Sequence, residues 1–253
     1  RLATQGVNFS QAYTPTPICS PARASLVTGQ WPTQHGCVNI SHTESHHPAV
    51  LKAPTLWQLL NDAGYHVGMV GKFHQEVDGL PTDHGVDDWI SEHDYGPWRA
   101  SQNLEPQPHD QKFFGQVDEH ITSDQSRMAW EVDQVLCLIN QYQDDADNDA
   151  WFMRWDPSEP HLPNIIPSEL ADLYPAHSIA PWSGFPDDMA NKPYSQKRCI
   201  DNWGIANWPW EKWQPIVSRY LAEITLLDQQ LGRILKNLEN KSEQISNKNY
   251  KVF

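Results

Sequence analysis

Long apolar runs are missing from this chain. No stretch of about 18 apolar residues occurs, so no transmembrane helix is expected. The opening, Arg1-Leu2-Ala3-Thr4, lacks a basic segment followed by an apolar one, and no signal peptide is visible. An initiator Met is lacking too, which predicts a chain taken from inside a longer reading frame. Positive charge is scarce: 18 Lys and Arg against 32 Asp and Glu give a formal net charge of −14. That balance excludes a general binder of nucleic acid or anionic membrane, and any anion held must be held by a local positive site. Cysteine is limited to 4 residues, Cys19, Cys37, Cys137 and Cys199. None forms a Cys-x-x-Cys pair, so a zinc ribbon is excluded; so low a cysteine content excludes a disulfide scaffold, though the even count leaves disulfides possible. Internal repeats and low-complexity linkers are absent.

The 253 residues suit one large α/β domain, or two domains of roughly 150 residues each. With 12 Trp, 8 Tyr and 7 Phe they can bury a sizeable core. Many of the 20 prolines fall between residues 157 and 215, which predicts irregular structure laid over a scaffold. The spacing predicts helices over Pro21 to Val27, Leu56 to Ala63, Ser126 to Tyr142 and Pro215 to Leu238. Strands are expected at Tyr65 to Gly71 and Trp151 to Trp155. The alternation of helix and strand argues for an α/β fold with a mainly parallel sheet. A regular core is expected over 1–75 and 126–163, loop-rich insertions over 76–125 and 164–214, the long helix over 215–238, and an irregular tail over 239–253.

The chemistry concentrates in Cys19-Ser20-Pro21-Ala22-Arg23-Ala24-Ser25-Leu26-Val27-Thr28-Gly29. The spacing places a thiol just before the first turn of a helix, where backbone N–H groups and the helix dipole favour an anion. Arg23, one turn on, adds a guanidinium with bidentate geometry for an oxyanion. Two readings stay open from these residues alone: a capped helix with a buried cysteine, or a reactive thiolate.

Cys-x-Pro-x-Arg followed by Ala-Ser-Leu-x-Thr-Gly resembles the signature of the formylglycine-dependent sulfatases, members of the alkaline-phosphatase-like superfamily. Further segments are similar to that family. They are Leu2 to Phe9 with Ala12-Tyr13, Pro32-Thr33-Gln34-His35-Gly36, Gly64-Tyr65, Gly71-Lys72-Phe73-His74 (Phe where Trp is usual), Glu159-Pro160-His161-Leu162-Pro163, and Tyr220 to Leu238. The resemblance implies an α/β/α sandwich. It also implies that a formylglycine-generating enzyme oxidises Cys19 to an aldehyde whose hydrate attacks sulfur. Arg23 would stabilise that group, Lys72 would bind a sulfate oxygen, His74 would take a proton, and His161 would bind sulfate or protonate the leaving oxygen. The implied substrate is a sulfated small molecule or glycan.

The resemblance implies a calcium ion too, held by two Asp on a first strand, by an Asp with Asn or His after the long helix, and by the oxygen derived from Cys19. Neither acidic set falls within residues 1–253, so a sulfatase fragment, truncated at both ends and inactive by itself, is expected. It would lack the first strand and at least one strand after the long helix. The compartment stays open; periplasmic, extracellular or lysosomal placement would need a signal peptide ahead of Arg1. The competing functions are a phosphodiester or phosphonate monoester hydrolase with the same nucleophile, and a non-catalytic anion-binding relative.

Other residues carry blander expectations. His35 is expected to support the signature helix, and His42, His46 and His47 to be a solvated loop. Asp83, Asp87 and Asp88 are expected as turn and cap residues. Cys137 is expected on an apolar helix face. Trp203, Trp208, Trp210 and Trp213 either pack the loop region or stack on sugar rings.

Overall fold

The computed structural model describes residues 2–38, 48–75, 77–108, 113–144 and 150–244. Its helices are α1 (Leu2–Gln5), α2 (Cys19–Thr28), α3 (Pro32–His35), α4 (Leu56–Asp62), α5 (Tyr95–Ser101), α6 (Arg127–Asp144), α7 (Tyr194–Trp203) and α8 (Trp210–Gln244). Its strands are β1 (His66–Gly71), β2 (Asp88–Ser91), β3 (Val117–Asp118), β4 (Trp151–Asp156) and β5 (Ile166–Pro167). Two compact units result, one of Arg1–Ser91 with Cys137–Asp156, the other of Glu92–Leu136 with Pro157–Phe253.

The first unit is built on a three-stranded sheet in the order β2-β1-β4, with both pairings parallel. The expected α/β fold with a parallel sheet is therefore present. Central β1 is apolar without alternation, as a strand covered on both faces must be; Val67, Met69 and Val70 are fully buried. Helix α4 feeds it. Thr55 caps that helix reciprocally: its Oγ accepts the Gln58 N–H at 3.1 Å and its own N–H donates to Gln58 Oε1 at 2.9 Å. Trp57 of α4 is fully buried in a cluster with Ala24, Val27, Met69 and Phe73.

Strand β2 was not anticipated. Asp88 and Trp89 pair with Gly68 and Met69 of β1. The acids beside them work as sheet and cap anchors: Asp87 accepts the Val67 N–H at 2.8 Å, Asp83 accepts that of Leu80 at 2.7 Å, and Asp88 binds His66 at 2.7 Å and Tyr142 at 2.8 Å. A four-residue strand that starts on an acid has no period for the eye to find.

The second unit holds the parallel pair β3–β5. Arg99 Nη1 donates to Asp118 Oδ2 at 2.8 Å, and both side chains are essentially removed from solvent. Helix α8 starts at Trp210, earlier than Pro215, which lies inside it. Pro215 cannot donate to the helix ladder. The extra turn is held instead by Trp210, whose indole N–H donates to the Ile179 carbonyl at 2.7 Å. The helix also continues past Leu238 to Gln244.

The apolar spacing predicts a stripe of Ile216, Tyr220, Ile224, Leu227, Leu231, Ile234 and Leu238 on α8, and the buried stripe is shifted from it. Ser218, Ala222, Glu223, Leu226 and Gln230 are buried, whereas Tyr220 and Ile224 are exposed. Small Ser218 allows a close approach, its hydroxyl donating to the Tyr174 carbonyl at 2.6 Å. On helix α6 the helical spacing predicts Met128, Val132, Val135, Leu136 and Ile139 as the apolar stripe; all are buried except Leu136, which is half-buried. Cys137 is exposed, contrary to expectation, because it sits about 100° around the helix from Leu138. None of the four cysteines, all of them among the described residues, is in a disulfide. The four Trp divide: Trp208 and Trp213 pack on Phe114 and on each other, Trp210 is buried against Trp182 and Phe185, and Trp203 is half exposed beside Phe113.

One position controls how β1 and β4 meet. Gly71 has φ 104, and a Cβ there would lie 2.2 Å from the Asp156 carbonyl oxygen. Gly71→Ala is predicted to lose at least about 3 kcal/mol, combining backbone strain with a steric clash. Urea unfolding would read this as a lowered midpoint at unchanged slope.

Candidate functional site

Helix α2 starts at Cys19, with Ile18 as its N-cap and no side-chain cap. The cysteine is thus the first helical residue, not the residue before the helix. The Ile18 carbonyl accepts the first intrahelical bond, from Ala22 N–H at 3.0 Å. Pro21 has no N–H, so of the first three helical positions only Cys19 and the buried Ser20 carry a backbone donor. The helix ends on Gly29, in the left-handed region at φ 66, whose N–H donates to the Ser25 carbonyl at 2.9 Å.

Cys19 is half-buried and opens on a cleft of about 960 Å³ that Arg23, Arg154, Asp156, Tyr13 and Trp31 also line. Arg23, four residues on, shares its helix face. Its Nη1 donates to the Lys72 carbonyl at 2.9 Å and stands 3.4 Å from Asp156 Oδ1. Sequence reading missed both Arg154 and Asp156. A strand ending Arg-Trp-Asp leading into a proline had signalled only a strand end; an alternating charged pair at the C-terminal end of a parallel strand was the usable cue.

Lys72 and His74 follow β1. Phe73 and Gln75 between and after them are buried while Lys72 and His74 are half-buried; the segment lies beyond the strand, so this is not the period-2 alternation of an extended chain. His74 has φ 38, in the left-handed region that non-glycine residues enter at a cost. Such strain concentrates at functional positions.

His35 is fully buried and ties the signature helix to the loop after it, as expected. Its Nδ1 accepts the Cys37 N–H at 3.1 Å, which leaves the ring proton on Nε2, 2.9 Å from Ser25 Oγ. Burial pushes its pKa below the usual 6.5.

His161 lies in the second unit. Its N–H donates to the Ser158 carbonyl at 3.1 Å, and its Nδ1 donates to the Leu162 carbonyl at 2.6 Å. Nε2 is therefore the ring atom left for chemistry. The flanking loop is pinned twice. Glu159 takes two bonds from Arg127, at 3.0 and 2.7 Å. Glu223 accepts from Asn164 Nδ2 at 2.6 Å and from the Ile165 N–H at 3.0 Å. Burial, with Glu159 nearby, pushes the Glu223 carboxyl up to about 8.

Among the described residues no group of three or more His, Cys, Asp or Glu could hold a metal ion. The cleft offers Cys19 with one carboxylate, Asp156, and that carboxylate is shared between two guanidiniums. The described residues do not fit the calcium centre implied by the resemblance. His42, His46 and His47 lie outside the described residues. No helix is long and apolar enough to cross a membrane, among the described residues.

A cysteine at a helix N-terminus thus shares one cleft with Arg23 of the same helix and with Arg154 near the C-terminal end of parallel strand β4. The sequence model of the Sulfatase family matches residues 1–246. The chain belongs to the sulfatase family. A "Sulfatase" of Formosa agariphila is 26% identical over 267 residues, covering 95% of this chain and 50% of that protein. The phosphonate monoester hydrolase of Silicibacter pomeroyi is similar in structure, with a TM-score of 0.70, 18% identity, and coverage of 90% of this chain and 51% of that one. A protein solved in complex with its substrate D-glucosamine-2-N,6-O-disulfate has a TM-score of 0.58 at 17% identity, covering 93% of this chain and 55% of that one. These likenesses show the alkaline-phosphatase-like fold. The chain spans about half the length of the curated relatives it matches.

Two buried groups are predicted to shape stability with opposite sign. His35 has a lowered folded pKa, so its contribution is complete above 6.5 and is lost as pH falls below that value. Glu223 has a raised one, so its contribution is complete below 4.5 and is lost as pH rises through about 8. Urea midpoints from pH 5 to 9 should lose the acid limb in His35→Gln and the neutral-to-alkaline limb in Glu223→Gln. Unchanged limbs would contradict the assignment.

Proposed function

We propose that this chain carries the nucleophile side of a sulfatase site, and that the whole protein hydrolyses a sulfate ester of a carbohydrate. The observation that carries the reading is Cys19 at the first position of α2, opening on a cleft with Arg23, in a chain of the sulfatase family. On this reading a formylglycine-generating enzyme converts Cys19, and both units belong to one catalytic domain, as the extent of the family match supports. A hydrated formylglycine supplies two hydroxyls, one to attack sulfur and one whose deprotonation expels sulfate without a water having to attack a sulfate ester.

The remaining roles fall to this chain's own side chains. Arg23 offsets anionic charge at residue 19, and its bond to the Lys72 carbonyl aims the guanidinium. Lys72, at the C-terminal end of β1, binds a sulfate oxygen, and His74 takes a proton from the residue-19 hydroxyl. His161 acts through Nε2. Because the Leu162 carbonyl holds the ring proton on Nδ1, Nε2 donates to sulfate or to the leaving oxygen only when the ring is an imidazolium.

The phosphonate monoester hydrolase fold supports a second reading, in which the same residues act on a phosphorus ester. A third reading is a non-catalytic relative that binds anions. One assay separates them. The whole protein, co-produced with a formylglycine-generating enzyme, is predicted to hydrolyse 4-nitrophenyl sulfate faster than a phenylphosphonate monoester, and Cys19→Ala to lower the rate by roughly 10³-fold or more. Preference for the phosphorus ester would establish the second reading, and no turnover of either ester the third.

A further inference from the structure

Arg23 is not held by α2 alone. Its guanidinium meets Asp156 Oδ1 at 3.4 Å, and Arg154 holds the same carboxylate, with Nη2 to Oδ1 at 3.0 Å and Nε to Oδ2 at 2.5 Å. Arg154 in turn stands over the Trp57 ring, 5.4 Å from its centroid, a cation–π contact with a fully buried side chain. The three charged side chains are only 12–22% exposed, so solvent screens them weakly. All three line the Cys19 cleft. The backbone locks the arrangement: Lys72 N–H donates to the Asp156 carbonyl at 2.8 Å while the Lys72 carbonyl accepts from Arg23.

We propose that Asp156 is a positioning residue for Arg23, and that with Arg154 it sets the charge presented to residue 19. The carboxylate directs one guanidinium toward the cleft and offsets one of two positive charges there. Two guanidiniums and one carboxylate leave a single net positive charge; loss of Asp156 leaves two, loss of Arg154 none. The proposal deepens the sulfatase reading, since it concerns the same cleft, and it rests on that reading only for the meaning of residue 19.

The unconverted Cys19 thiol reports the charge directly. Its alkylation rates with iodoacetate, an anion, and iodoacetamide, a neutral reagent, are measured at one pH on the full 253-residue chain, with peptide mass spectrometry separating Cys19 from the other cysteines. The thiolate fraction cancels in the ratio, so only the local potential and access of an anion remain. Asp156→Asn is predicted to raise the ratio about fivefold and Arg154→Gln to lower it by a similar factor, the order expected of one weakly screened charge across a cleft. The double variant should return to the wild-type ratio, and Asp156→Glu should stay close to it.

A fold defect would move both reagents together and leave the ratio alone. Ratios unchanged within twofold in both single variants, or shifted in the same direction, would overturn the proposal. Because no hydrolysis is measured, opposed shifts in a protein without sulfatase activity would keep this role and remove the proposed function. Activity without the shifts would do the reverse.

Discussion

The 2.8 Å hydrogen bond from the Lys72 N–H to the Asp156 carbonyl is the contact on which the site depends. It exists because residue 71 has no Cβ: any side chain there would occupy the space of that carbonyl. With the strand ends drawn together, the Lys72 carbonyl is available to Arg23 and the Asp156 side chain faces the same guanidinium. One hydrogen bond thereby sets the direction of Arg23, and Arg23 shares a helix face with Cys19. The site is a property of the β1–β4 junction as much as of the signature helix.

Charge has to be organised locally in this protein. The chain is strongly acidic, so its long-range field repels anions. Against that field stand a helix N-terminus and two guanidiniums in a weakly screened cleft. The acid among them is not an accident of composition. A carboxylate between two guanidiniums holds both in place, and each would be costly to bury unpaired. The buried acid Glu223 has a parallel role in the second unit, gathering Asn164 and Ile165 so that the loop bearing His161 keeps its shape.

The α/β plan was legible because helix and strand periods are local: the apolar run of β1 and the stripe of α6 depend on neighbours a few residues away. The catalytic candidates were legible as a resemblance, carried by contiguous motifs around Cys19, Lys72 and His161. What stayed hidden was set by contacts distant in sequence. Arg154 and Asp156 gain meaning only once β4 lies beside β1. Strand β2 forms because β1 offers it a partner, and the buried stripe of α8 turns because Ser218 and Glu223 find polar partners on other segments. The start of α2 was displaced by Pro21, which suits any of the first helical positions and so marks the turn without marking its first residue.

The most direct test of the account is the chemical state of residue 19. The peptide containing Cys19 to Arg23, taken from protein co-produced with a formylglycine-generating enzyme, should lose its thiol and react with a hydrazide, as an aldehyde does. An intact, alkylatable thiol at Cys19, under conditions that convert a control sulfatase, would contradict it.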